Sequence, residues 1–403
     1  MTDKARIPVI LSGVRTPMGR FLGGLAPLQA PQLGAITVAE AVRRAGIDPD
    51  EVEEVIMGNV VPAGAGQAPA RQAAIHGGIP ATIPSMTINK VCGSGLKAVM
   101  LAAQAIKAGD YQVAVAGGFE SMSNVPYYLR NHRGGVKFGD QTLQDGLIYD
   151  GLWCSFGNCH MGGYAEYTAD KAGITREEAD EFAYNSHRKA VAAIENGKFK
   201  DEIIPVEIKH RKGVNVVDTD ESPRADTTME ALARLRPAFP RDAPEGIENL
   251  IVTAGNAPGL NDGAASLVVA SQAFAEAHGL PIQAFIQNYA VGSTEPKELF
   301  FAPIDAIQKL MARDEKTIGE YDLFEVNEAF AVQAIADMRA LDMDEARVNV
   351  HGGAVALGHP IGASGARVLV TLLYAMKDRG DTSGMAALCL GGGNAVALSV
   401  EMR

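Results

Sequence analysis

Residues 85–118 read SMTINKVCGSGLKAVMLAAQAIKAGDYQVAVAGG, and this stretch decides the fold class. Ser85–Lys90 is a predicted strand that is followed by a Gly-rich turn. Gly95–Ala108 then carries its apolar residues at helical spacing. Tyr111–Ala116 is a short apolar strand that runs into a pair of glycines. A strand, a helix and a second strand in succession predict an α/β layered fold.

The same alternation of predicted strands and helices extends through the first part of the chain and returns in its last third. In the first part we predict strands at Ile7–Ser12 and Val52–Gly58 and helices at Pro31–Ala45 and Ala68–His76. In the last third we predict strands at Ile282–Val291, Leu323–Val326, Arg347–Val350, Met385–Leu390 and Ala395–Glu401, and helices at Pro303–Arg313, Ala329–Ala340 and Gly365–Lys377. Two halves of similar outline indicate a duplication, and ligands usually bind at such a junction.

The middle of the chain differs from both halves. From about Ser121 to Glu248 it is richer in charge, Tyr, Asn and Pro, and its helical segment Arg176–Asn196 is not part of a regular strand–helix alternation. Strand-like character resumes at Asn249–Gly255 and Ala264–Ala270. We therefore predict an N-terminal half at 1–120 and 249–273, an inserted loop domain at 121–248 and a C-terminal half at 274–403.

Composition narrows the class of protein. The chain has 403 residues and a formal net charge of -12, which argues against nucleic acid as a partner because phosphate binding needs a basic surface. Four cysteines in a chain of this length indicate free thiols in a reducing compartment. No apolar run approaches the length of a membrane span, and the N-terminus does not resemble a signal peptide. We expect a cytoplasmic protein.

Cys92 and His359 are the first candidates for chemistry. Cys92 lies between a predicted strand and a predicted helix, where the helix dipole lowers the pKa of a thiol. The alternative is a small buried Cys in a turn. His359 lies between Gly358 and Pro360, and an imidazole there can accept a proton near neutral pH. The alternative is a loop His held by hydrogen bonds.

Two further candidates have simple structural explanations when each is taken alone. Cys389 ends an apolar strand before three glycines, where a Cys is usually core packing. Asn327 lies where a strand becomes a helix and is interpreted in isolation as a helix N-cap.

The pattern Cys154-x4-Cys159-His160 is a weak metal motif that lacks a fourth ligand. Seven Lys and Arg between Lys209 and Arg241 form either a phosphate contact or a solvated surface.

Taken together, these residues resemble the thiolase family over essentially the whole chain. The most specific motifs surround Cys92, His359 and Cys389, in that order. Supporting stretches are Gly13-Val-Arg-Thr-Pro17, Gly117-Gly-Phe-Glu-Ser-Met122, Leu235-Arg-Pro-Ala-Phe239, Asn261-Asp-Gly-Ala-Ala265 and Asn327-Glu-Ala-Phe330. The resemblance implies two duplicated βαβαβαββ halves in a five-layer α-β-α-β-α arrangement, with a loop domain inserted in the first half.

The resemblance also implies catalytic roles. Cys92 would carry the acyl group, and His359 would activate it. Cys389 would exchange the α-proton of acetyl-CoA. Asn327 would hold a water that stabilises an enolate with His359, and the backbone N–H groups of Cys92 and Gly391 would form the other oxyanion hole.

The loop domain would bind coenzyme A, which is substrate and product, and no metal or prosthetic group is implied. The implied contacts are Arg224 and Phe239 at the nucleotide and pantetheine, His160, Met161 and Phe330 along the channel, and Ala254 and Gly259 through backbone. Pro258 replaces a Ser that is common in the biosynthetic members, which puts one pantetheine contact in doubt. The family commonly forms dimers or tetramers, so we expect a homo-oligomer with small-molecule acyl-CoA partners, no nucleic acid and no membrane.

The implied reaction is the reversible condensation of two acetyl-CoA to acetoacetyl-CoA and coenzyme A, since His160-Met161-Gly162 resembles the short-chain biosynthetic branch. The alternative is a degradative 3-ketoacyl-CoA thiolase that accepts longer chains. A remote alternative is a noncatalytic acyl-CoA or lipid-binding protein on the same fold. Cys92, His359 and Cys389 are all present, which argues against a noncatalytic protein, because the loss of a catalytic Cys or His would be the sign of one.

Overall fold

The computed structural model describes residues 3–403, so the first two residues of the predicted N-terminal half lie outside the described residues. The described chain contains sixteen strands and eleven α-helices. The strands are β1 (Pro8–Arg15), β2 (Gly19–Arg20), β3 (Glu54–Gly58), β4 (Ser85–Ile88), β5 (Val113–Ser121), β6 (Tyr127–Tyr128), β7 (Gln144–Asp145), β8 (Trp153–Cys154), β9 (Cys159–His160), β10 (Val206–His210), β11 (Gly213–Val217), β12 (Asn261–Ser271), β13 (Ala284–Ser293), β14 (Leu323–Val326), β15 (Ser383–Leu390) and β16 (Asn394–Glu401).

The α-helices are α1 (Ala30–Ala45), α2 (Pro69–His76), α3 (Ser94–Ala108), α4 (Met161–Ala172), α5 (Arg176–Glu195), α6 (Met229–Ala233), α7 (Gln272–Ala277), α8 (Ala302–Asp314), α9 (Ala331–Leu341), α10 (Ala354–Leu357) and α11 (Ile361–Arg379). Short 3-10 helices occur at Lys4–Arg6, Pro49–Glu51, Met122–Asn124, Pro296–Phe301, Ile318–Glu320 and Glu345–Arg347, and Leu147–Leu152 is a π-helix.

The main sheet has a nearly symmetric strand order. It runs β14-β15-β16-β13-β1-β12-β5-β3-β4, and β2 pairs with β12. Read outward from β1, one half has the order β1-β12-β5-β3-β4, and read outward from β13, the other half has the order β13-β16-β15-β14, which matches the first four positions. Within the sheet, the two halves are joined at β1 and β13, where Val9 pairs with Phe285 and Ile10 with Ala284. This order agrees with the predicted duplication.

Three helical layers enclose the two half-sheets. Helices α3 and α11 share one apolar core with strands of both halves and form the middle layer. Helices α1 and α2 pack on the outer face of the first half-sheet, and α8 packs on the outer face of the second. Residues 361–373 of α11 are buried on every side, as a helix between two sheets must be. The predicted α-β-α-β-α layering is present.

Glycines allow the two middle helices to touch. A Cβ on Gly95 of α3 would lie 2.6 Å from the backbone nitrogen of Ala366 in α11. A Cβ on Gly365 of α11 would lie 2.3 Å from the backbone nitrogen of Leu96 in α3. Any side chain at either position would therefore push the helices apart.

The segment from 121 to 248 is joined to the first half by a buried ion cluster. The guanidinium of Arg15 in β1 donates to Glu202 at 2.5 Å and to Asp220 at 2.6 and 2.8 Å. All three side chains are fully buried. Because removing one partner would leave a buried charge unpaired, this cluster fixes the inserted segment against the sheet.

Two predicted strands are wrong. Asn249–Gly255 forms no strand, because the Glu166 carboxylate takes the N–H groups of Ile251 and Val252, at 2.8 and 3.0 Å. Arg347–Val350 is reduced to a single bridge between Phe324 and Val348.

The side chain of Asn349 explains why the second of these strands is lost. Its Oδ1 accepts from the N–H of Val326 at 2.9 Å, and its Nδ2 donates to the carbonyl of Val326 at 2.8 Å. An amide side chain thus replaces the backbone pairing of a strand beside β14.

Other boundaries shift for steric or capping reasons. The strand predicted at Tyr111–Ala116 begins at Val113 and continues through Gly117 and Gly118 as β5. A Cβ on Gly118 would lie 2.0 Å from the carbonyl oxygen of Gly362, so these glycines permit close packing within a strand. The helix predicted from Gly365 begins at Ile361, directly after Pro360.

We predict that Gly95→Ala lowers the free energy of unfolding by about 1–3 kcal/mol, because the new methyl group overpacks the contact between α3 and α11. The matched control is Gly319→Ala, where nothing lies within 4 Å of the added Cβ. Urea unfolding at one protein concentration measures both variants. Equal stability of the two variants would show that the helix contact tolerates a methyl group.

Candidate active site

One cavity of about 280 Å³ brings together residues that are far apart in the sequence. Cys92 and His359 line it, together with Cys389 and Gly391 from the end of β15 and the turn after it. The predicted ligand contacts that also line it are His160, Met161, Phe239, Gly259 and Phe330. The thiols of Cys92 and Cys389 and the imidazole of His359 therefore face a common space.

Cys92 is presented by a strained turn. Val91, the residue before it, has a φ of 48°, a left-handed value that a β-branched side chain rarely adopts. Asn89 holds this conformation because its Oδ1 accepts from the N–H of Val91 at 2.9 Å. The Oγ of Ser94 accepts from the N–H of Lys90 at 2.8 Å. These bonds place Cys92 just ahead of the N-terminus of α3.

The predicted lowering of the Cys92 pKa is wrong for the resting protein. The side chain is partly exposed to the cavity, but its sulfur is enclosed by protein, and burial raises the pKa of the thiol to about 11. The backbone N–H groups of Gly391 and of Cys92 itself lie at the sulfur and lower the pKa, but desolvation is the larger effect. Cys92 is therefore a neutral thiol until a base removes its proton.

His359 is oriented as such a base. Its Nδ1 lies 2.6 Å from the Oγ of Ser364, and that hydroxyl donates to the carbonyl of Pro360 at 2.9 Å. The hydroxyl of Ser364 has one proton, and that proton is used in the bond to Pro360. The Nδ1 of His359 must therefore carry the imidazole proton and donate it to the Ser364 oxygen. The other nitrogen, Nε2, is buried without a partner among the described residues. The unprotonated Nε2 is the nitrogen that is free to accept a proton.

The charge state of His359 agrees with this tautomer. Burial lowers the pKa of the imidazole to about 3, and the positive charge of Arg367 acts in the same direction. The loop that carries it is fixed by Asn261, whose Oδ1 accepts from the N–H of His359 at 3.0 Å. Glu120 fixes the start of α11 by accepting from the N–H of Gly362 at 2.9 Å.

Cys389 is both a core residue and a cavity residue. It packs in an apolar cluster with Phe330 and Val332, as its strand position predicts, and it also lines the cavity. Burial raises the pKa of its thiol well above the ordinary value, and a negative charge on Cys92 raises it further. Cys389 therefore holds its proton in the resting protein and becomes a strong base once that proton is lost.

Asn327 is not the helix cap suggested by its position. The N-cap of α9 is Phe330. The amide of Asn327 is fully buried, and neither its oxygen nor its nitrogen has a hydrogen-bond partner among the described residues. The backbone N–H of Asn327 donates to the carbonyl of Ala387 at 2.9 Å. Asn327 therefore lies beside β15, at the residue two positions before Cys389. An unpaired buried amide is unusual in a folded protein, and Asn327 is not among the residues that line the cavity.

An aromatic wall forms one side of the cavity. The ring of His160 stacks on Phe239 with centroids 4.5 Å apart, and Phe239 meets Phe330 edge-on at 6.2 Å. Phe300 continues the row, 5.3 Å from Phe330. A Cβ on Gly162 would lie 2.1 Å from the Phe239 ring, so the glycine beside His160 is needed for this stack.

Two predicted contact residues lie outside the cavity. Ala254 and Arg224 are exposed, and Arg224 borders a separate surface groove with His187 and Arg188. The seven basic residues between Lys209 and Arg241 are all exposed as well.

Sequence reasoning also missed part of the cavity lining. Ile148, Gly151 and Leu152 belong to the π-helix and line the cavity. Leu299, from the C-terminal half, lines the cavity too. In the sequence, the stretches that contain these lining residues are distinguished by their apolar character, which ordinary core residues share.

Two kinds of feature are absent from residues 3–403. No group of three or more His, Cys, Asp or Glu side chains there could hold a metal ion. Within the same range, no helix is both long enough and apolar enough to cross a membrane.

We predict that alkylation of Cys92 by iodoacetamide accelerates by about tenfold per pH unit between about pH 7 and pH 9, because only the thiolate reacts and burial raises its pKa. Mass spectrometry of the Cys92 peptide after timed labelling measures the rate, and Cys92→Ser identifies the signal. A rate that is already level near pH 7 would instead show a thiolate paired with a protonated His359.

Sequence models of two domain families match nearly the whole chain. "Thiolase, N-terminal domain" matches residues 8–273, and "Thiolase, C-terminal domain" matches residues 280–402. The chain is 51% identical over 393 residues to a protein of Pseudomonas aeruginosa named acetyl-CoA acetyltransferase, covering 97% of this chain and 98% of that protein. A protein of the same name from Cupriavidus necator is 52% identical over 396 residues, covering 98% of this chain and 99% of that protein.

A solved structure agrees with these matches. The crystal structure of the Bacillus anthracis acetyl-CoA acetyltransferase superposes with a TM-score of 0.94 at 43% identity and covers 98% of both chains. Agreement at this level extends over both halves and the inserted segment. With two family models matched in order and relatives near 50% identity over almost the full length, this chain belongs to the thiolase family and has the thiolase fold.

Proposed function

We propose that this protein catalyses the reversible condensation of two acetyl-CoA to acetoacetyl-CoA and free coenzyme A, as an acetyl-CoA C-acetyltransferase. The observation that carries the proposal is the single cavity in which Cys92, His359 and Cys389 meet. The names of the relatives from Pseudomonas aeruginosa and Cupriavidus necator support the same activity.

The first half-reaction transfers an acetyl group to Cys92. The free Nε2 of His359 takes the thiol proton, and the thiolate attacks the thioester carbonyl. The carbonyl oxygen becomes an oxyanion, which the N–H groups of Cys92 and Gly391 stabilise from their positions at the sulfur. The intermediate collapses to acyl-Cys92, and the departing coenzyme A thiolate takes the proton from His359.

The resting charge states suit this half-reaction. A neutral imidazole accepts a proton, whereas an imidazolium cannot, and the low pKa of His359 keeps it neutral. The covalent acyl intermediate divides one difficult carbon–carbon step into two easier steps.

The second half-reaction forms the carbon–carbon bond beside Cys389. His359, neutral again after the first half-reaction, takes the proton of Cys389, and the Cys389 thiolate removes an α-proton from a second acetyl-CoA. The resulting enolate attacks the carbonyl of acyl-Cys92, the carbon–sulfur bond breaks, and the released Cys92 thiolate recovers the proton from His359. In the reverse direction, the Cys389 thiol returns this proton to the carbanion, and its raised pKa keeps that proton in place. We assign Asn327 to the enolate oxygen, together with His359, because its buried amide is unpaired.

The cavity wall supports a thioester substrate with an apolar arm. The wall of His160, Phe239 and Phe330 is apolar along one side and would hold the pantetheine arm, while Arg224 and Ala254 lie farther out, at the surface. We assign coenzyme A binding to the inserted segment 121–248 on this basis. A homo-oligomer and a cytoplasmic location stay predictions of the family resemblance.

The experiment that tests the proposed function is thiolysis of acetoacetyl-CoA, 3-ketohexanoyl-CoA and 3-ketopalmitoyl-CoA by free coenzyme A. We expect activity with acetoacetyl-CoA and a steep loss with the longer chains. Equal or faster turnover of the longer substrates would instead identify a degradative thiolase. A folded protein that binds coenzyme A but turns over none of the three would point to a noncatalytic binding protein.

We predict that Cys389→Ala suppresses exchange of the acetyl-CoA α-protons with solvent far more than it suppresses acylation of Cys92, because only the exchange needs a base beside the methyl group. Deuterium incorporation and single-turnover acylation with labelled acetyl-CoA measure the two steps. Cys92→Ser is the matched control and should abolish acylation. Equal losses of both steps in Cys389→Ala would refute the separate role of Cys389.

A further inference from the structure

Two cysteines outside the catalytic set are cross-strand neighbours. Strands β8 and β9 form a short antiparallel hairpin in which Cys154 is paired with Cys159. Directly opposed residues in an antiparallel pair have Cα atoms about 4.5–5.5 Å apart. This separation lies inside the range of about 4.4–6.8 Å found for disulfides. The backbone is therefore already positioned for a bond between the two sulfurs, which are both free thiols here.

The side chains converge as well. The hydroxyl of Tyr164, in the first turn of α4, lies beside the sulfurs of both Cys154 and Cys159. Two sulfurs that adjoin one oxygen atom occupy the same small volume. The turn between them, Ser155–Asn158, is tight, with Asn158 at a φ of 50°.

We propose that Cys154 and Cys159 are a reversible dithiol–disulfide site whose co-reactant is a low-molecular-weight disulfide. This pair was the weak metal motif of the sequence, but no metal-binding group occurs among the described residues. Neither cysteine is needed by the proposed reaction.

The exchange balances in two steps. Cys159 is partly exposed, whereas Cys154 is 2% exposed, so the Cys159 thiolate attacks the small disulfide first. This step forms a mixed disulfide and releases one small thiol. The Cys154 thiolate then attacks the Cys159 sulfur, forms the intrachain bond and releases the second small thiol. The protein is oxidised by two electrons and the reagent is reduced by two.

The surroundings set the rate of the first step. Burial raises the pKa of the Cys159 thiol, although the hydrogen bond from Tyr164 partly offsets this. The thiolate fraction is therefore small at neutral pH, and exchange should accelerate as the pH rises.

The position of the pair connects it with the cavity. Cys159 is followed directly by His160, whose ring stacks on Phe239 in the cavity wall. Forming the bond would turn the Cys159 sulfur toward Cys154 and displace the Tyr164 hydroxyl, which belongs to the first turn of α4, directly after His160 and its place in this wall. Resting on the proposed function, we expect oxidation to raise KM for coenzyme A substrates more than it lowers kcat.

The test treats the full-length protein with oxidised glutathione, then alkylates free thiols and digests with trypsin. Both cysteines lie on the peptide 138–171, while Cys92 and Cys389 lie on the separate peptides 91–97 and 380–403. We expect peptide 138–171 to lose both alkyl groups, to become lighter by two hydrogens and to recover on reduction with dithiothreitol. The readout is a mass, so it is independent of whether the proposed activity is correct.

Single substitutions are the matched controls. In Cys154→Ser, Cys159 should stop at the mixed disulfide with glutathione, and in Cys159→Ser, Cys154 should remain alkylated. The inference is overturned if peptide 138–171 of the folded, unsubstituted protein stays fully alkylated after treatment. It is also overturned if either cysteine is found joined to the catalytic peptides instead of to its hairpin partner.

Discussion

The close contact of α3 with α11 is the constraint on which the rest of the structure depends. These helices fill the space between two half-sheets, and they can do so only because Gly95 and Gly365 let each backbone touch the other. The apolar core around them joins strands of both halves into one unit. Burial of this extent is the main favourable term in folding.

The same contact creates the active site. Cys92 precedes the N-terminus of α3, and His359 precedes the N-terminus of α11. Because the two helices cross near these ends, a thiol and an imidazole more than 250 residues apart in the chain face one cavity. The positive ends of both helix dipoles lie near the place where negative charge develops in the reaction. Cys92 thus comes from the first half and His359 from the second, while the inserted segment supplies His160 and Phe239 to the aromatic wall.

Much of this arrangement could be predicted from local patterns. The strand–turn–helix units, the duplication and the three catalytic candidates follow from spacing and motif. The errors share a cause. Asn249–Gly255 and Arg347–Val350 have strand-like composition, but side chains of Glu166 and Asn349 take the backbone hydrogen bonds that a strand would need. Glu166 is distant from 249–255 in the chain, and Asn349 lies within 347–350 but bonds the distant residue Val326, so neither pairing leaves a local signal.

Most of the helices and strands follow from the sequence alone, because helix and strand periodicity and the glycines of tight turns are local properties. The resemblance to the thiolase family singled out the side chains that the proposed reaction uses. Only the tertiary structure decided the charge states. Position ahead of a helix predicts a low pKa for Cys92, but enclosure by both halves raises it, because desolvation outweighs the backbone donors. The tautomer of His359 likewise depends on Ser364 and Pro360. Burial depends on how the whole chain packs, and no local stretch of sequence contains that information.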